Sequence, residues 1–316
     1  VIDTRAAEAF AVSAARSIHP LVRSWYDDAE LIENVRLWLA PELRLAGDAD
    51  SAREFAAAWP VPGCSPADYG YRVVTDVVPG LDVVAGIRFR SDEAMAPWVD
   101  VLVSSRPVAD ADERAEISRA LNREFARFTP RWAGFFCAAD GPAPPGRLPG
   151  EDILAARVAD LRAAAAASDD SVVLRRANAS SCHDQYLGLY RAFHAEHPRN
   201  AELASVEDVE SLAGYEQDGG LFEIRVDGFF AGFCGARRWP RYGVRGWVGG
   251  EIILANRFRG QGLAAPVHRR MAQAIPASPG DAIWASVHEE NVRSRRAGLS
   301  AGYSRIGRTL RIATGA

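Results

Sequence analysis

The 316 residues predict an α+β fold in two halves, each a mixed, mostly antiparallel sheet flanked by helices. Three observations carry this expectation. Strand-like and helix-like segments alternate irregularly, and an Asp227-Gly228 turn between two apolar runs marks an antiparallel hairpin. The stretch Asp140–Gly150 holds four prolines and divides the chain near its middle. The order of elements before this stretch is faintly repeated after it. The length suits two domains, read here as 1–150 and 151–316.

The second half parses in order. Ile153, Leu154, Val158 and Leu161 recur at helical spacing and, with the alanine run after them, predict a connecting helix over 151–167. A short strand follows at 172–176, then helices at 181–196 and 205–215. Strands at 221–226 and 229–236 flank the Asp227-Gly228 turn. A strand at 247–254 runs into a glycine-bearing loop and a helix over 262–275. A strand at 282–287, a helix at 291–301 and a strand over 303–312 complete the half. In the first half, strands at 72–78 and 83–90 meet across Pro79-Gly80. A strand at 98–104, a helix at 111–128 and a strand at 132–137 follow. Ala85-Gly86 matches Ala231-Gly232, and Trp98-Val99 matches Trp247-Val248, so this half reads as an eroded copy.

Composition narrows the function. A hydrophobic fraction of 48% and a charged fraction of 25% are those of a soluble globular protein. No apolar run approaches the length of a membrane span, so no membrane partner is expected. Asp3, Arg5 and Glu8 near the start do not suit a signal peptide, and the chain reads as cytoplasmic. The net charge of −4 argues against nucleic-acid binding, although all 37 basic residues are arginine. Four separated cysteines, with no C-x-x-C pair, give neither a disulfide frame nor a metal site.

Chemistry concentrates in Glu251–Ala265, EIILANRFRGQGLAA, where an apolar strand meets a glycine turn and a helix start. Gly260 and Gly262 let the backbone turn tightly and approach a ligand without a Cβ in the way. The first helix amides lack internal partners and carry the positive end of the helix dipole. A pyrophosphate satisfies both, and Arg257 and Arg259 add positive charge. A diphosphate-bearing ligand is the expectation from physics alone.

Arg257, Gly260 and Gly262 fit the pattern Q/R-x-x-G-x-G/A, and here the sequence resembles the GNAT acetyltransferase family. A second stretch, VHEENVRSRRAGLSAGY, resembles that family's second motif, with Asn291, Ser294, Ala297, Gly302 and Tyr303 at the expected spacing. The resemblance covers roughly half of the chain. It implies acetyl-CoA as donor, with backbone groups of Ile253 and Leu254 against the pantetheine arm. Amides from Arg259 through Gly260, Gln261, Gly262 and Leu263 to Ala264 would hold the pyrophosphate, with Arg257, Asn291 and Ser294 completing the cofactor set. It further implies N-acetylation of a small-molecule amine, by a monomer or homodimer, with no metal. Glu251 is the first candidate for the base that takes the amine proton and His288 the second. The position at which many members carry a tyrosine acid is Gly298 here, which leaves Tyr303 or water as the acid. Tandem members such as mycothiol synthase and antibiotic-pathway acetyltransferases share the two-copy arrangement.

In the first half, Asp110, Asp112 and Glu113 stand where the glycines and arginines would be, so this copy is not expected to bind CoA. Glu207, Asp208, Glu210, Glu216 and Asp218 form an acidic rim suited to a cationic acceptor. Two rival readings remain. An acyl-CoA-binding sensor would keep the loop without turnover. A dinucleotide-dependent enzyme would use GQGLAA as its fingerprint and Asp281 as the ribose acid, although antiparallel hairpins precede the loop.

Overall fold

The structure is a computed structural model that describes residues 4–46, 48–90, 93–108, 110–138, 147–166, 171–201 and 206–313. In chain order its elements are α1 (Thr4–Arg16), α2 (Pro20–Arg23), α3 (Asp28–Leu45), α4 (Ala49–Ala58), β1 (Arg72–Val78), β2 (Leu81–Arg90), β3 (Glu93–Ser104), α5 (Ala111–Glu124) and β4 (Trp132–Cys137). There follow β5 (Arg147–Arg157), α6 (Val158–Ala166), β6 (Val172–Arg176), α7 (Ala179–Glu196), α8 (Val209–Gln217), β7 (Leu221–Val226), β8 (Phe229–Arg238) and β9 (Gly246–Leu254). The last four are α9 (Ala264–Ala274), β10 (Ala282–His288), α10 (Val292–Ala301) and β11 (Ser304–Ala313). The mixed α+β class expected from the sequence is the one observed.

Two compact units form. The first comprises Val1–Gly150, Arg241–Gly243 and Gly307–Ala316; the second comprises Glu151–Pro240 and Val244–Ile306. The terminal residues, read from the sequence with the second half, therefore pack with the first: Arg308–Ala313 pair antiparallel with β4.

Within the first unit β1, β2 and β3 are antiparallel neighbours, and β3 meets β4 in a parallel contact of three residue pairs, Val99–Ala133 to Val101–Phe135. Its core gathers Leu81, Val83, Ile87, Ile117, Leu121, Phe125, Phe128 and Phe135 between sheet and α5. The four N-terminal helices were not assigned from the sequence; α3 opens with a capping box in which Asp27 and Glu30 bond each other's amides.

The second unit orders its strands β5-β10-β9-β8-β7-β6. All contacts are antiparallel except β9 with β10. One face packs against α6, α9 and α10 through Leu161, Trp247, Val267, Met271 and Ala301. The other packs against α7 and α8 through Tyr186, Tyr190, Leu212, Tyr215, Phe233 and Ile253.

The expected connecting helix over 151–167 is corrected. Residues 151–157 are strand, paired along their length with β10, and the helix begins at Val158. Ile153 to Ala156 are buried without a break, and a short, wholly buried strand cannot be told from helix by periodicity. Of the expected linker, 147–150 belong to β5, while 140–146 lie outside the described residues. The second acceptor-side helix starts at Val209, not 205, because Asp208 caps it.

Candidate active site

The site is built where β9 and β10 part. Their parallel pairing ends after Gly246–Ala282, Ile283–Trp247 and Trp284–Val248, and both strands then continue without pairing to each other. Beyond Val248, β9 bulges: Gly249 faces Ala236 and Glu251 faces Gly235, so Gly250 is the extra residue and is exposed. A Cβ at Gly250 would run into the Tyr215 hydroxyl, so only glycine fits this bulge beside that tyrosine. Past the bulge, Ala255 donates its N–H to Ala231 on β8. By strand alternation Ile253 and Glu251 also turn their peptide groups toward β8, leaving those of Ile252 and Leu254 on the edge facing the parting. Of the two residues expected to offer backbone groups there, Leu254 is on that edge and Ile253 is not. The Leu254 carbonyl already accepts from Arg259 Nε at 2.6 Å, so its N–H is the group left.

Glu251 is 5% exposed. Tyr186 donates to its Oε2 at 2.7 Å, and Tyr190 donates to Oε1 at 2.8 Å and Oε2 at 3.0 Å. Burial pushes the carboxyl up to about 7, and the tyrosine donors pull against that rise. Glu207 adds to it as a nearby negative charge. Tyr186 in turn accepts the Glu207 N–H at 2.9 Å, and Tyr215 donates to Glu207 Oε1 at 3.0 Å. The three tyrosines were missed in the sequence reading. Their one signal is the i, i+4 spacing of Tyr186 and Tyr190, which sets both on one face of α7.

The acidic rim is reduced by its own hydrogen bonds. Asp208 caps α8 through the Ser211 N–H, Glu216 accepts from Asn178 and the Ala179 N–H, and Asp218 accepts the Arg238 N–H. Glu210 is an exposed residue of the first turn of α8. Only Glu207 faces the buried carboxylate.

The loop after β9 keeps the expected shape. Gly260 and Gly262 have φ of 75° and 76°, and a Cβ at either would meet only open space. Leu263, at the N-cap of α9, offers no side-chain cap, and the first turn holds no acid. Among the described residues, the amides of Gly260, Gln261, Gly262 and Leu263 donate to no backbone carbonyl. The loop's arginines and glutamine instead hold the loop itself. Arg257 donates to Phe230 O, Arg259 to Leu254 O and Leu189 O, and Gln261 to Arg257 O. At the other end of α9, Arg162, Arg176 and Arg238 donate to the carbonyls of Ala272, Ala274, Ile275 and Pro276. The helix therefore has positive side chains satisfying its C-terminus and free amides at its N-terminus.

The remaining expected residues divide. His288 ends β10 and accepts the Glu290 N–H at Nδ1. Asn291 is the N-cap of α10, its Oδ1 accepting the Ser294 N–H at 3.2 Å, so this pair serves the helix start. Tyr303 is 3% exposed, lies in the apolar core beside the ring of His268, and burial pushes its phenol up. A hydroxyl so placed is part of the core beneath the helices, which corrects the expectation that it serves as the acid. Gly298 carries no side chain that could act as an acid, and a Cβ there would come within 2.8 Å of Leu154 Cδ1. Asp281, the ribose acid of the dinucleotide reading, is buried, bonds the Ser278 N–H and the Trp247 indole, and pairs with Arg238 and Arg245. The carboxylate is thus buried and committed to groups of the fold itself, which counts against the dinucleotide reading.

The first unit has a helix in the same topological place, α5 between β3 and β4. Asp110 caps it, accepting the Glu113 N–H at 2.9 Å, and Asp112 and Glu113 lie in its first turn. Glu113 pairs with Arg106 at 2.6 Å. Among the described residues of the chain no group of His, Cys, Asp and Glu could hold a metal ion, and no helix is long and apolar enough to cross a membrane.

No family model matches the chain, and no curated protein matches it in sequence. Among solved structures it is similar to a GCN5-related N-acetyltransferase from Kribbella flavida, at 14% identity over 86% of this chain and 97% of that one, with a TM-score of 0.46. It is also similar to a GCN5-related N-acetyltransferase from Sphaerobacter thermophilus, at 13% identity over 89% and 93% of the two chains, with a TM-score of 0.44. A GNAT-family acetyltransferase from Colwellia psychrerythraea is similar at 13% identity over 73% and 85%, again with a TM-score of 0.44.

Proposed function

We propose that the second unit is an acetyl-CoA-dependent N-acetyltransferase of the GNAT type that acts on a small-molecule primary amine. One observation carries the reading. A parted parallel strand pair leads into two left-handed glycines and an uncapped helix N-terminus, with a buried carboxylate at the bulge beside the parting.

Acetyl-CoA brings the thioester, and the chain does the rest. The free amides from Gly260 to Ala264 bind the pyrophosphate, and the α9 dipole favours its charge. The edge of β9 at Leu254 orients the pantetheine arm as an added strand. Glu251, with a proton affinity near neutrality, takes the proton of the attacking amine, as a base matched to working pH should. The new N–C bond forms as the C–S bond breaks, and the thiolate leaves with a proton from water, since the family's tyrosine position holds glycine here. Glu207 beside Glu251 suits an acceptor that arrives as an ammonium ion. This favours the amines of antibiotic or other secondary metabolism, where cationic acceptors are common.

Calorimetric titration with acetyl-CoA, native against Gly260→Asp, tests the reading. One site per chain, weakened at least 100-fold in the variant, is the expected result. Two sites would give the first unit a cofactor of its own, and absence of binding would overturn the proposal. Binding without acetyl transfer to any amine would leave a CoA-binding sensor.

A further inference from the structure

We propose that Tyr186 and Tyr190 are positioning residues that fix the rotation of the Glu251 carboxyl group and direct the incoming proton to Oε1. The inference rests on the acetyltransferase reading only for where that proton comes from.

The two carboxylate oxygens are not equivalent. Of the two tyrosines, both donate to Oε2, at 2.7 and 3.0 Å, and only Tyr190 donates to Oε1, at 2.8 Å. The Tyr186 oxygen already accepts the Glu207 N–H, so its O–H is committed to the carboxylate. Tyr190 stands within reach of both oxygens and keeps an acceptor whichever one is protonated. When the amine N–H bond breaks and an O–H bond forms on Oε1, Tyr190 turns wholly to Oε2, and every hydroxyl keeps a partner. A proton on Oε2 would instead sit on the oxygen to which the Tyr186 hydroxyl is committed, and that buried donor would keep only the weaker acceptor of a protonated oxygen. The tyrosines are not relays: burial raises both phenols, so they stay protonated throughout. Their rings, 5.1 Å apart and from adjacent turns of α7, are held by the aromatic packing that forms this face of the unit.

Infrared difference spectra taken across the Glu251 titration test this directly, with Glu251→Gln identifying the band. If Oε1 is protonated, Oε2 is the carbonyl, and Tyr186→Phe removes one of its two donors. The C=O stretch should then move to higher frequency, and the titration midpoint should rise by about one pH unit, a tenfold change in proton affinity. The acid limb of kcat/KM against pH should rise by the same amount. A C=O stretch unmoved by Tyr186→Phe would put the proton on Oε2 and overturn the assignment. Should Tyr186→Phe not fold, Tyr190→Phe serves: its midpoint must rise too, and an unchanged midpoint overturns the clamp. Shifts as expected in a protein that transfers no acetyl group would uphold the clamp and bring down the acetyltransferase reading instead.

Discussion

Two helix starts in this chain answer the same physical problem in opposite ways. In each unit a strand, a crossover helix and a second strand meet in a parallel contact of three residue pairs. At the start of α5 the chain supplies its own anion: Asp110 bonds the Glu113 amide, and two more acids sit in the first turn. At the start of α9 no side chain caps the helix, no acid is present, and two left-handed glycines keep the approach clear. A helix N-terminus is stabilised by negative charge whatever its source. Where the chain provides it, the unit gains stability; where the chain withholds it, the amides are left for a ligand. The difference teaches that a helix start can be satisfied in two ways: by the chain's own carboxylate, as at α5, or, under the proposed function, by a ligand's phosphate at α9.

The comparison breaks most visibly at the loop. Gly260→Asp puts into the second unit what the first already has, an acid at the helix start, and should weaken acetyl-CoA binding at least 100-fold by calorimetry. Close behind stands Glu251. Replacing it with Gln should lower kcat by about 10²- to 10⁴-fold, the usual contribution of a general base. In the native protein kcat/KM should fall as pH drops below about 7, as the carboxyl takes up its proton. The sign for stability is the reverse. A carboxyl whose folded-state value is raised favours the fold below its ordinary value near 4.5, and that contribution is lost as pH rises through about 7. Glu251→Gln should therefore be the more stable protein above pH 7, by up to about 3 kcal/mol if the whole rise is relieved. Urea unfolding at pH 6 and pH 8 would read this, and a variant less stable at both would contradict it.

At the bulge the expected effect is smaller. Gly250→Ala forces a methyl group against the Tyr215 hydroxyl, which must give way and release Glu207. Overpacking of this kind costs about 1–3 kcal/mol. The variant should melt lower and lose acetyl transfer, while acetyl-CoA binding, which depends on the loop beyond, changes less than tenfold. Equal losses of binding and turnover would show that bulge and loop are not separable.

How much of this was legible in the sequence follows from how local each feature is. The loop was readable because Arg257 to Ala264 is a contiguous stretch whose glycines specify its conformation. The Glu251 clamp was not, because its tyrosines lie 65 and 61 residues away and reach it only across a folded face. The repeat was legible as an order of elements, not as residues. Gly86 lies opposite Asp100, beside the parallel contact, whereas Gly232 lies opposite Leu254, at the far end of its strand pair. Their matching dipeptides therefore do not mark equivalent places. Likewise β5 was mistaken for helix because burial on both faces erased the alternation that marks a strand. The side-chain duties of Arg257, Arg259 and Gln261 were hidden for a further reason: an arginine beside a glycine loop serves a ligand or a carbonyl with the same donors, and only the fold decides which.

The smallest effect bears on the comparison most directly. Asp110→Ala removes the carboxylate that caps α5 in the first unit, leaving the Glu113 amide unbonded at the start of that helix. Loss of such a cap costs about 1 kcal/mol, within a range of about 0.5–2. Denaturant unfolding should register that loss. The calorimetric count with acetyl-CoA should stay at one site, because Asp112 and Glu113 still hold negative charge over the helix start and no glycine pair opens it. A second site appearing in the variant would mean that Asp110 alone kept the first unit closed. The two helix starts would then differ by a single side chain, and not by the loop geometry that φ values of 75° and 76° give to α9.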